Sequence, residues 1–227
     1  MEKIKVLLLG DNEVAAYARN KLKDCEVLVI GDSAESPKIP DSFRPNAAFS
    51  IKFPHILKKS FIDRVCVPIL NFHTAPLPEL RGVDTTSWAI VDGLDSFGVT
   101  VHIIDERVDT GPIVLKETFP ITPFDTAYSL YCKNLVLLVK IIDKEMTNLV
   151  KGKYRIQKFK SKVSHFHKKK EFDYTDLEVN LDQPIDKVDR FIRSRIFPGR
   201  QLPHLKNGKK IIGCRIKDEE LVLKYVK

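Results

Sequence analysis

"KIKVLLLGDNEVAAYARNKLKDCEVLVIG", residues 3–31, decides the fold. It opens on a near-continuous apolar run that stops at Gly10. A strand covered on both faces reads this way, whereas a half-exposed strand alternates apolar and polar residues. "NEVAAYARNKL" (12–22) follows with helical spacing, and "EVLVIG" (26–31) reads as a second strand. A β-α-β opening of this kind implies an α/β fold with a doubly wound, mostly parallel sheet. The first turn, "LGDNE" (9–13), lacks the GxGxxG pattern that lets a backbone approach a pyrophosphate, so no dinucleotide is inferred.

Further along, "AAFSIKF" (47–53) and "VPILNFH" (67–73) are two more strands, with "HILKKSFID" (55–63) as a short amphipathic helix between them. "FGVTVHIID" (97–105) and "GPIVLKETFPI" (111–121) form another strand pair across the loop "ERVDT" (106–110). Thr122 caps a long helix, with Pro123 at its first position and Asp125 facing its amide-rich end. Its apolar stripe, Ala127, Leu130, Leu138, Ile141, Ile142 and Leu149, reads as core. A helix at 184–195 and a β-hairpin within 202–216, turned at Asn207-Gly208, complete the chain. The reading divides the protein into a Rossmann-like catalytic domain, 1–155, and a small C-terminal extension, 156–227, that would hardly fold alone.

The 227 residues are 43% hydrophobic and 30% charged, a balance that argues for a packed core over disorder. No apolar run approaches the roughly 20 residues of a membrane helix. The start, "MEKIKVLLLG", has no cleavage motif, so a cytoplasmic location is expected. Cys25, Cys66, Cys132 and Cys214 are scattered without a CxxC pair and are expected to be buried thiols. A net charge of +8 favours an anionic partner, and much of the excess lies in the basic segment 151–170. Nucleic acid is one candidate, but no motif for groove or strand recognition accompanies the charge.

Chemistry concentrates in "ILNFHTAPLPELRG" (69–82). Ligands in open α/β sheets sit beyond the carboxyl ends of strands, and period-two geometry points Asn71 and His73 to one face there. Asp109, in the loop after the 97–105 strand, supplies a carboxylate. A hydrogen-bond donor, a base of near-neutral pKa and a carboxylate to orient it make a catalytic set. No GxSxG elbow or reactive cysteine motif accompanies them. Such a site suits direct attack by a substrate's own nucleophile on a carbonyl carbon.

Asn71-x-His73, "LP-x-x-RG" (77–82), "GVTVH" (98–102) and "VDTGPI" (108–113) resemble, in order and spacing, the formyltransferases that use 10-formyltetrahydrofolate. In that family an aspartate follows the histidine by 36 positions, and here 109 − 73 = 36. The likeness covers about 50–150 well and the rest loosely. It implies that Asn71 and His73 polarise the formyl oxygen, that His73 relays the amine proton, and that Asp109 sets the ionisation state of His73. It also implies a pterin slot built from His55, Ile56, Leu57, Ile104, Asp105 and Glu106, with no metal. "PLP" (76–78) holds the turn under the site, and Gly111 lets the backbone pass close by. Ala75 stands where many relatives carry serine, so a hydrogen bond near His73 is expected to be missing or supplied by Thr74.

The resemblance also bears on the acceptor. "LGDNE" is unlike the phosphate loop of glycinamide ribonucleotide enzymes, and 156–227 do not accommodate the β-barrel that methionyl-tRNA enzymes append. Sugar-nucleotide formyltransferases remain, with tails resembling "FHKKKEFDYTD", "KVDRFIRS" and "NGKK". The implied acceptor is dTDP-4-amino-4,6-dideoxyglucose, formylated for surface polysaccharide (O-antigen) synthesis. Asn12, Arg81, Trp88, Arg193, Phe197 and Lys209 are the candidate acceptor contacts. Arg81 is read as facing a phosphate or pinning its own loop, and Trp88 as packing. A homodimer through the C-terminal half is expected; a membrane or nucleic-acid partner is not.

Overall fold

The computed structural model of the chain describes residues 2–157 and 166–226. In chain order the elements are β1 (Lys5–Leu9), α1 (Glu13–Asn20), β2 (Glu26–Ile30), β3 (Ala47–Ile51), α2 (Lys59–Val65), β4 (Ile69–His73) and β5 (Arg81–Gly82). They continue with α3 (Thr85–Val91), β6 (Ser96–Ile103), β7 (Ile113–Pro120), α4 (Ala127–Val150), β8 (Phe166–His167), α5 (Ile185–Arg195), β9 (Ile211–Lys217) and β10 (Glu220–Tyr225). Six strands make one sheet in the order β2-β1-β3-β4-β6-β7. β2, β1, β3 and β4 pair in parallel, and β6 runs antiparallel to β4.

Side-chain alternation explains why the strands read as unbroken apolar runs. Val6, Leu8, Phe49, Ile51, Leu70 and Phe72 pack on one face with α1 residues and Leu138, Ile141, Ile142 and Leu149 of α4. Leu7, Leu9, Ala48 and Ile69 pack on the other face with Phe61 and Val65 of α2. Each fully buried Leu, Val or Phe contributes roughly 1.5–3 kcal/mol of hydrophobic stabilisation. The whole expected stripe of α4 is buried.

The chain gathers into two compact units. Of the described residues, the first contains 2–81, 98–117 and 135–157; the second contains 82–97, 118–134 and 166–226. This division is threaded through the sequence rather than made by one cut near 155. In the second unit α5, β9 and β10 share a core of Val179, Val188, Ile192 and Ile211.

Several local expectations need correction. α2 begins at Lys59, so His55–Leu57 precede the helix instead of opening it. β9 and β10 pair antiparallel across Asp218-Glu219, both at positive φ, although no glycine marks the turn. Asn207-Gly208 closes only a small turn, with Gly208 N–H donating to the Leu205 carbonyl at 2.8 Å and one bridge between His204 and Lys210. Cys66 is exposed and the other three cysteines are half-buried. The middle of the basic segment, 158–165, lies outside the described residues.

Helix α4 is capped one turn later than expected. Thr126 Oγ1 accepts from Ser129 N–H at 3.2 Å, and Ser129 Oγ accepts from Thr126 N–H at 2.9 Å, a reciprocal capping arrangement. Asp125 just before it accepts from Thr122, Ser129 and Lys133. Burial alone would raise this carboxyl, but the Lys133 ammonium, the Ser129 hydroxyl and Thr122 outweigh it and hold the group at about 2. A depressed carboxyl contributes stability that is fully present above the ordinary 3.8 and is lost as pH falls through about 2. Asp125→Asn is expected to destabilise the fold by about 2 kcal/mol at neutral pH. Urea unfolding of both proteins at neutral and strongly acid pH checks this, because the difference should fade in acid.

Candidate active site

The site grows from the β4–β6 pair. Asn71 sits opposite His102 and His73 opposite Thr100, so four polar residues share one patch of the sheet. Patches of this kind are costly unless bonded internally. Thr100 Oγ1 donates to the Ala75 carbonyl at 2.8 Å and accepts from Leu77 N–H at 3.0 Å, which ties the "HTAPLP" turn to the strand. The Leu77–Pro78 peptide is cis.

His73 is buried, and its Nε2–H donates to the Leu80 carbonyl at 2.8 Å. In the neutral ring this leaves Nδ1 with its lone pair, 3.6 Å from Asp109 Oδ2. Burial, the largest influence, lowers the His73 pKa below 6.5, with His102 adding to it; Asp109 and the Leu80 carbonyl act the other way. The net result is a neutral base at physiological pH. Asp109 is itself 9% exposed and stands at φ +53, a conformation that non-glycine residues adopt rarely.

His102 is a fourth member of the site that sequence reading passed over. Its Nε2 lies 3.4 Å from Asp109 Oδ1 and 3.1 Å from Asn71 Nδ2, while Nδ1–H donates to the Ile103 carbonyl at 3.0 Å. With Nδ1 protonated, Nε2 accepts one of the two Asn71 amide hydrogens and leaves the other available. The alternation of "GVTVH" puts Thr100 and His102 on one face, and the β6–β4 register brings that face to Asn71 and His73. Two imidazoles and a carboxylate also form a familiar metal set. Among the described residues, however, no group of His, Cys, Asp and Glu is placed to hold an ion.

The loop carrying Asp109 is pinned at several points. Arg81 Nε and Nη2 donate to the Val108 carbonyl at 3.1 and 2.6 Å. Thr110 Oγ1 donates to Asp105 Oδ1 and Oδ2 at 2.7 and 2.8 Å, and Arg107 N–H also donates to Asp105. A Cβ at Gly111 would fall 1.7 Å from the Ile103 carbonyl oxygen, so the close passage expected there does require glycine.

The remaining candidates divide. Leu57 is core, whereas Ile56 is 74% exposed. His55 Nε2 lies 2.7 Å from the Asp32 carbonyl oxygen, and Ile104 N–H donates to Ile69. Glu106 pairs with Lys59 at 3.3 Å. Asn12 caps α1 through Oδ1, accepting from Ala15, and donates through Nδ2 to the Ile51 carbonyl at 2.9 Å, so both ends of its amide serve the scaffold. In the second unit Trp88 stacks on His167 at 4.3 Å. Arg193 bonds Asp189 and the Asp125 carbonyl, an internal tie within that unit. Phe197 meets Tyr128 and Tyr131 edge-on, and Lys209 lies over Tyr225.

Residues 33–142, which contain all four polar site residues, match the family model described as formyl transferase. The chain carries a formyl transferase domain. The family resemblance drawn from Asn71, His73 and Asp109 therefore holds. GDP-perosamine N-formyltransferase of Brucella melitensis biotype 1 is 26% identical to this chain over 173 residues, 74% of this chain and 63% of the relative. The chain thus spans less than two thirds of that relative's length. A crystal structure of a sugar 3N-formyl transferase, in the presence of dTDP and 5-N-formyl-THF, superposes with TM-score 0.81 at 25% identity, covering 96% of this chain and 88% of the other. The N-formyltransferase from Helicobacter canadensis, in complex with folinic acid and dTDP-3-aminofucose, shares the fold with TM-score 0.81 at 24% identity over 95% and 89% of the two chains. Among the described residues, no helix is long and apolar enough to cross a membrane.

Proposed function

We propose that this chain transfers the formyl group of 10-formyltetrahydrofolate to the amine of a nucleotide-linked amino sugar. The observation that carries the reading is the convergence of Asn71, His73 and Asp109, with His102, in one buried patch of the formyl transferase domain. The sugar 3N-formyl transferase that superposes on the chain supports a folate donor and a nucleotide sugar.

The sugar amine attacks the formyl carbon, and the carbonyl electrons move onto oxygen. The Asn71 hydrogen not used by His102 donates to that oxyanion. His73 Nδ1 takes the proton from the attacking nitrogen, and the Asp109 carboxylate beside it stabilises the imidazolium. Collapse of the intermediate breaks the bond between the formyl carbon and N10 of the folate. The proton then passes through His73 and Asp109 to N10, leaving tetrahydrofolate and a formamido sugar. The long contacts of Asp109 suit a site that tightens when substrates bind. The exposed Ile56 offers an apolar cover for the pterin, and Ile104, Asp105 and Glu106 complete the slot in this reading.

A base that must be neutral loses activity when it is protonated. Since the His73 pKa is lowered, kcat should hold down through pH 6.5 and fall only below it. A pH–kcat profile checks this; a limb centred above 6.5 contradicts it.

The acceptor read from the tail is dTDP-4-amino-4,6-dideoxyglucose, serving surface polysaccharide (O-antigen) synthesis. The similarity to a sugar 3N-formyl transferase favours a dTDP-3-amino sugar as the second reading. A panel of dTDP- and GDP-linked amino sugars, glycinamide ribonucleotide and methionyl-tRNA, read by mass spectrometry of the products, decides between them. If no amine of the panel drives turnover while RNA binds with steep salt dependence, the enzyme reading gives way to a nucleic-acid-binding protein.

A further inference from the structure

Two consecutive residues of one turn hold the two partners of the proton relay. Leu80 accepts from His73 Nε2–H, which fixes the ring and aims Nδ1 at Asp109. Arg81, the next residue, donates twice to the carbonyl of Val108, the residue before Asp109. The turn is itself fixed: Thr100 bonds the Ala75 carbonyl and the Leu77 amide, and Lys116 Nζ donates to the Leu77 carbonyl at 2.9 Å and to Glu79 at 2.7 Å.

We infer that Arg81 is a positioning residue that sets the distance between His73 and Asp109, and that its role is not to grip a substrate phosphate. This deepens the formyl-transfer reading and rests on it. Arg81 is 8% exposed, and its Nε and Nη2 both donate to one backbone carbonyl. Asp109 stands at φ +53, so its side-chain direction depends on how the peptides on either side are held. Arg81 fixes the peptide before it. The Asp105–Thr110 bonds and the contact of Gly111 with Ile103 fix the chain after it. The planar fork meets one carbonyl through two nitrogens, a geometry that a lysine ammonium does not reproduce.

The test compares wild type with Arg81→Lys and Arg81→Ala. Arg81→Lys retains the positive charge, so any change in the His73 titration reports where Asp109 lies rather than a lost cation. The groups facing His73 are Asp109, His102 and the Leu80 carbonyl, and of these Asp109 and the carbonyl raise its pKa. Displacing Asp109 should therefore move the His73 midpoint, followed by NMR without substrate, to lower pH in Arg81→Lys. Turnover should fall by about 10²-fold, as a misplaced catalytic group costs, while KM for folate and for the nucleotide sugar stays within about twofold. Added guanidinium should restore part of the activity of Arg81→Ala. An unmoved His73 midpoint in folded Arg81→Lys overturns the inference. A rise confined to the nucleotide-sugar KM also overturns it, in favour of phosphate binding. The NMR readout stands even if wild type formylates none of the sugars offered, so failure of the proposed function is distinguishable from failure of this inference.

Discussion

Asp109→Asn should lower turnover by about 10²–10⁴-fold, the range that a positioned acid–base group contributes. Asparagine keeps the shape of the side chain and removes only its charge. The imidazolium formed when His73 accepts the amine proton then loses the carboxylate 3.6 Å away, and N10 loses its proton route. Ground-state binding of folate should change little, because the carboxylate faces two histidine rings and is almost wholly buried. Steady-state kinetics and calorimetry with a stable folate analogue separate the two effects. Unchanged turnover would remove Asp109 from the mechanism, and lost folate affinity would make it a binding residue.

Asn71→Ala should cost about 10²–10³-fold in turnover, equivalent to about 2.7–4 kcal/mol of transition-state stabilisation. The loss arises because the amide donates to an oxygen that becomes fully charged only in the intermediate. Asn71 is held by His102 at 3.1 Å, so His102→Ala should reproduce part of the same loss by freeing the amide to rotate. The double variant should then cost less than the product of the two single losses, since both disable one donor. Fully multiplicative effects measured in kcat would mean that Asn71 and His102 act independently.

The parts of the fold that were legible in the sequence are those in which one residue pattern admits one environment. Val6–Leu9 had to be covered on both faces, and the α4 stripe had to face a core. Asn71 and His73 were legible for the opposite reason: polar side chains two apart at the end of a buried strand need a purpose. His102 was missed because its meaning depends on register, and only the antiparallel pairing of β6 with β4 sets it opposite Asn71. Asp105 read as a folate contact, yet its carboxylate is engaged by Thr110 and Arg107 within its own loop, which no spacing rule reveals. The hairpin turn was placed 11 residues early, at 207 instead of 218, because Asn-Gly is a strong turn signal, while Asp218-Glu219 turns at positive φ without glycine. A single domain cut near 155 was the natural linear reading. Gly82–Phe97 and Thr118–Asn134 instead gather with the C-terminal residues, an arrangement that depends on contacts far apart in sequence.

The most direct test of formyl transfer is the release of tetrahydrofolate from 10-formyltetrahydrofolate, followed with and without a dTDP-linked amino sugar. Release should require the amine, and one formamide should appear for each tetrahydrofolate freed. Release at the same rate without any amine, or none with every amino sugar offered, would contradict the account.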